Sequence, residues 1–139
     1  MAASTSFRIS ETARKQLASH AAKEGTSATA LLDQLIVEGV KQRDYPGIIF
    51  RGPAHDRRAA LAVGPDVWEV VGRLRELDGS EEQRISLLAD ESELHPRLIR
   101  LALDYAAEHP EEVLERIERN RVMTERSRAT SKQREALFR

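Results

Sequence analysis

Ser4, Ser6 and Arg8 recur at every second position near the start of a 139-residue chain. On an extended backbone that spacing puts two hydroxyls and a guanidinium on one face, with Thr5, Phe7 and Ile9 on the other. Hydroxyls donate or accept, and a guanidinium presents a fork of donors that matches two acceptors at once. The chemistry implied is recognition: such a row can read base edges, with Arg8 donating twice to a guanine. A polar strand face is by default only solvated, but here two short helices follow directly, and that context reverses the balance. Thr26 and Ser27 add a second set. They stand where a helix begins, and free N–H groups with a positive dipole end bind phosphate there, although capping alone is the commoner role of such a serine.

Residues suited to catalysis do not assemble. His20, His55, His95 and His109 are scattered, with no i, i+4 pair and no metal motif around a glutamate. No glycine-rich phosphate loop is present, and there is no cysteine, which removes thiolate metal sites, disulfides and cysteine nucleophiles together. His55, beside Asp56, reads as a turn residue. The expectation is a protein that is not an enzyme and needs no cofactor or metal.

The elements that must hold these residues are short. Residues 5–9 alternate as one strand, and Ser10 can cap a helix to about Glu24 with Ala13, Leu17 and Ala21 inward. Gly25 is a stop, and Ser27 opens a second helix. Its apolar face, including Leu31, Leu32, Leu35, Ile36 and Val40, is broader than one neighbour requires. A strand needs a mate for its backbone groups. With no second strand close by, the mate is expected from another copy of the chain, giving a homodimer.

Tyr45-Pro46-Gly47 marks a boundary. Beyond it a hairpin is expected, 48–51 and 58–63, around a wide turn. Pro65 and Asp66 suit the first turn of a helix with Val67, Val70, Val71 and Leu74, and Trp68 reads as core. Ser80-Glu81-Glu82-Gln83 has capping-box form, Pro96 opens a further helix, and Pro110 opens a last one. Residues 80–91 and 96–108 are compatible with a helix-turn-helix, yet this stretch is acidic and suits protein contacts better than phosphate. Residues 124–136 are almost wholly polar, and a tail of that kind is expected to stay flexible until a partner holds it.

Charge follows the same division. Net charge is −1. Residues 1–45 hold 6 Lys/Arg against 5 Asp/Glu, residues 46–110 hold 8 against 12, and residues 111–139 hold 8 against 6. An acidic middle between basic ends can serve different partners. No apolar run is long enough for a membrane span and no signal peptide is apparent, so a cytoplasmic location without membrane contact is expected.

Phe7-Arg8-Ile9-Ser10-Glu11 followed by Gly25-Thr26-Ser27-Ala28 resembles the ribbon-helix-helix family of dimeric DNA-binding proteins, over residues 4–43. The resemblance implies base reading by Ser4, Ser6 and Arg8 and a backbone clamp at Thr26 and Ser27. Residues 45–117 resemble the domain of unknown function family 433. The residues that carry it are Tyr45-Pro46-Gly47-Ile48-Ile49-Phe50, Gly64-Pro65-Asp66-Val67-Trp68 and the run from Ala102 to Glu111. Members are small winged or helix-turn-helix-like modules, often antitoxins paired with PIN-like ribonuclease toxins; this chain departs from many of them in lacking a glycine-rich first hairpin strand.

The fold class expected is mainly α with short β. A ribbon-helix-helix head (1–44) swaps its strand in a dimer, a hairpin-plus-helices module follows (45–118), and a basic arm ends the chain (119–139). The resemblance implies a type II antitoxin that binds a PIN-like ribonuclease toxin and represses its own operon at operator DNA. The arm is either solvated and partly disordered, or wraps the toxin, with Arg116, Arg119, Arg121, Arg126 and Arg128 as the candidates that pair with its carboxylates. A dimeric regulator without a toxin and a dimeric adaptor that never touches DNA are the alternatives.

Overall fold

The computed structural model describes residues 4–139 and divides into two compact units between Asp44 and Tyr45. Among the described residues the chain is mainly helical, with six helices and one two-stranded antiparallel sheet.

The first unit is a helix pair. Helix α1 (Glu11–Glu24) is capped by the Ser10 hydroxyl, which accepts from the Ala13 N–H at 3.0 Å. It ends at Gly25, whose φ of 67° lets its N–H reach back to the carbonyls of Ala21 and Ala22. Helix α2 (Ala28–Asp44) starts under the Ser27 hydroxyl, 3.0 Å from the Ala30 N–H. Ala21 and Leu31 are the buried apolar side chains of the pair. The strand expected at 5–9 is not a strand in the single chain: residues 4–10 carry no regular structure, and the sheet lies elsewhere. A strand exists by virtue of its ladder, and no described segment of this chain pairs with residues 5–9.

The second unit is built on a hairpin. Strands β1 (Ile48–Arg51) and β2 (Arg58–Leu61) pair antiparallel, with Ile48 opposite Leu61 and Arg51 opposite Arg58. Helix α3 (Val67–Glu76) buries Val67, Val70, Val71 and Leu74 at three- and four-residue spacing. Helix α4 (Glu81–Ser92) begins with a complete capping box between Ser80 and Gln83. Helix α5 (Pro96–Glu108) buries Ile99, Ala102, Tyr105 and Ala106. The Tyr105 ring sits at the centre of an aromatic group, edge-on to Tyr45 at 5.1 Å and to Phe50 at 6.3 Å.

Helix α6 (Pro110–Ala136) corrects the expected break at residue 119 and the expected flexible tail. It is one unbroken helix. No glycine or proline interrupts residues 111–136, and ion pairs Glu115–Arg119, Glu118–Arg121 and Arg121–Glu125 lie at helical spacing along it. Each such pair contributes about 0.2–0.5 kcal/mol. The low apolar content that suggested disorder instead reflects how little of α6 is packed: Val113 is its buried side chain, and Ile117 packs against the core edge.

The hairpin turn depends on Gly52. Its φ is 101°, and a Cβ there would lie 2.2 Å from the Asp56 carbonyl oxygen. Gly52→Ala should therefore destabilise the fold by about 1–3 kcal/mol through strain and steric overlap, read as a lowered urea midpoint.

Candidate functional site

Two surfaces hold the candidate residues, one in each unit. In the first unit, Ser4, Ser6 and Arg8 are all exposed on the segment that leads into α1. No acidic residue lies among residues 4–10, and Glu11, the nearest in sequence, is hydrogen-bonded to Arg14. Thr26 and Ser27 form the corner between α1 and α2. The Ser27 hydroxyl is engaged as the cap, and the first turn of α2 carries no acidic residue to oppose its positive dipole end.

Beside these polar groups lies an uncovered apolar surface. Phe7 is 82% exposed, Leu35 51% and Ile36 55%, and Ile9, Leu32, Val37 and Val40 are also exposed. Ile9, Leu17, Leu31, Leu32 and Leu35 line an open groove along α1 and α2. Isolated exposed apolar residues need no explanation, but a contiguous row on one helix marks an interaction surface.

In the second unit, structure reveals a constellation the sequence reading missed. Asp66, only 5% exposed, accepts from Arg58 Nε at 2.7 Å and from the Trp68 indole N–H at 3.1 Å, and lies 3.9 Å from Arg51. Asp66 is the N-cap of α3 by position, but its side chain caps nothing. Arg58 also reaches Asp56 at 3.1 Å. Asp56 in turn accepts from both Nη atoms of Arg116 on α6, with Arg119 at 3.6 Å. The Arg116 guanidinium lies 5.9 Å from the centre of the Trp68 ring. Trp68 is thus half-buried, packed against the core as expected while its N–H and ring meet the ion cluster. The signals available were the Asp56-Arg57-Arg58 run and an aspartate before an apolar helix, but nothing local tied either to residue 116.

The toxin-contact candidates fall into two groups. Arg116 and Arg119 are held by Asp56, and Arg121 is held by Glu118 and Glu125. Arg126 and Arg128 are exposed on the later turns of α6. Among the described residues no helix is long and apolar enough to cross a membrane, and no group of three or more potential metal ligands occurs. No family model, curated protein or solved structure matches this chain.

The hydrogen bond from Arg116 holds the Asp56 carboxyl below its ordinary value of 3.8; partial desolvation opposes this, and the charges of Arg116 and Arg58 add to it. A carboxyl with a depressed folded-state value stabilises the fold above its unfolded value and loses that contribution as pH falls through the folded one. The stability gap between wild type and Asp56→Asn should thus stay constant from neutral pH down to 3.8 and shrink below it, as urea titrations across pH would show. Asp66→Ala is the more damaging change. It leaves Arg58 Nε and the Trp68 indole N–H without their acceptor while Arg58 keeps Asp56, and should cost about 2–4 kcal/mol after allowing for the partial exposure of Arg58, measured by thermal and urea unfolding.

Proposed function

We propose that the protein is an antitoxin working as a homodimer: its first unit joins two chains and binds operator DNA, and its second unit binds a PIN-like ribonuclease toxin in the cytoplasm. The observation that carries the first half is the apolar row on α2 together with Phe7 and Ile9, all open to water in one chain. Pairing residues 5–9 with the same residues of a second copy would give a two-stranded ribbon and cover that row. Burial of some five such side chains on each chain, at roughly 1 kcal/mol apiece, is of the order of 10 kcal/mol, which matches the freedom lost on association. The ribbon's backbone hydrogen bonds then decide the balance toward the dimer. In that arrangement Ser4, Ser6 and Arg8 face away from the helices, in a ribbon of a width the major groove admits, and Thr26 and Ser27 supply phosphate contacts.

The toxin half is supported by the resemblance of residues 45–117 and by exposed arginines on α6. A second reading, a dimeric regulator with no toxin, is favoured by the internal pairing of Arg116, Arg119 and Arg121. Co-purification with the product of the adjoining gene separates the two: a bound ribonuclease supports the antitoxin, and its absence supports the regulator.

The dimer should sediment as such at micromolar concentration, and a well-folded monomer there would sink the proposal. Arg8→Ala should weaken binding to DNA from upstream of its own gene by about 1–3 kcal/mol, the worth of a bidentate guanine contact. No binding by the wild type in a gel-shift titration would leave the adaptor that does not touch DNA, and binding unchanged by the substitution would remove Arg8 from the reading face.

A further inference from the structure

We infer that the corner between α4 and α5 is an acid-sensitive latch: His95 caps α5 only while its imidazole is neutral, and protonation releases the first turn of that helix. Nothing in this rests on the antitoxin reading.

Three helices begin under a serine cap: Ser10 on α1, Ser27 on α2 and Ser80 on α4. A hydroxyl accepts whatever the pH in this range, because it does not titrate there. Helix α5 uses an imidazole instead. His95 Nδ1 accepts from the Arg97 N–H at 3.0 Å. A ring nitrogen can accept only in the neutral form, since both carry protons in the cation. Protonation therefore removes the acceptor, and it also sets a positive charge at the positive end of the helix dipole. The two effects act in the same direction.

His95 serves its helix through more than one bond. Pro96, the first residue of α5, has no N–H to satisfy. The next three donors all turn to His95: Arg97 to the imidazole, and Leu98 and Ile99 to the backbone carbonyl at 2.9 and 3.3 Å. The chain enters through a tight corner, in which Glu93 takes a φ of 61° and the Leu94 N–H is held by the Ser92 hydroxyl. The turn so fixed leads directly to Ile99, which is fully buried. On the outside, Arg97 and Leu98 line an open groove with Pro46, Gly47 and Val63. The state of the cap thus reaches both the core and a surface.

The elements that meet at this corner carry Asp90, Glu91 and Glu93 at the end of α4, Arg97 and Arg100 on α5, and Arg51 on β1, which donates to the Gly64 carbonyl beside Leu94. Glu91 is engaged by Arg73, and Arg100 by Glu82. Among the described residues no carboxylate forms an ion pair with His95 that would favour its cation. A fold that needs the neutral ring keeps its full contribution above the ordinary imidazole range, at about pH 6.5, and loses it as pH falls below that.

The test follows urea unfolding of the full chain at about pH 7.5 and about pH 5.5 by the fluorescence of Trp68, the single tryptophan, which shares the second unit with His95. Wild type is compared with His95→Asn, which keeps an acceptor at either pH, and with His95→Ala, which has none at either. At the higher pH the wild type should match His95→Asn and exceed His95→Ala about three- to fivefold in folding equilibrium constant. At the lower pH it should fall behind His95→Asn by a similar factor and match or drop below His95→Ala. Titration of His20, His55 and His109 is common to all three proteins and cancels in the comparison. A gap between wild type and His95→Asn that does not widen on acidification would overturn the inference. So would a wild type no more stable than His95→Ala at the higher pH, which would mean that the imidazole holds nothing.

Discussion

A carboxylate with almost no access to water organises the second unit. Asp66 sits at the junction of β2 and α3, and burying its charge is tolerable only because Arg58 and the Trp68 indole answer it within hydrogen-bond distance. Arg58 carries the connection on to Asp56, and Asp56 carries it to Arg116. The hairpin, the start of α3 that follows it and the distant body of α6 are thereby fixed by a chain of alternating charge. Apolar packing alone would let α6 slide, since only Val113 and Ile117 anchor it to the core. The ion chain supplies direction where the hydrophobic contact supplies only attraction.

The first unit is organised on the opposite plan. Its capping is complete at both helix starts, so the backbone is locally satisfied. Its apolar residues are not: the α2 row lies open while the residues before α1 have no ladder. In the dimer proposed above, a unit with well-made helices and unfinished burial would draw part of its stability from its partner, and so from concentration. That is the physical content of reading it as half of a dimer.

Helix boundaries were legible because their signals are local. Ser10, Gly25, Ser27, the Ser80–Gln83 box, Pro96 and Pro110 each act within a turn of where they sit, and each marks a boundary in the structure. The end of α4 was placed within one residue, at 91 against Ser92, although Glu93 takes the left-handed conformation (φ 61°) that usually announces itself as glycine. The tail misled through its composition. Polar composition does not by itself forbid a helix: no glycine or proline breaks residues 111–136, and ion pairs support the stretch from Glu115 to Glu125 that leads into the tail. The Asp56–Arg116 contact was out of reach, since its partners lie sixty residues apart and no periodicity connects a turn aspartate to one of the seven arginines in residues 111–139.

The unbroken course of α6 has a mechanical consequence. Its 27 residues make a rod of about 40 Å, fastened to the core only over its first two turns. Beyond Arg119 each turn is held by its own backbone and neighbouring side chains, so these turns can open locally without disturbing the core.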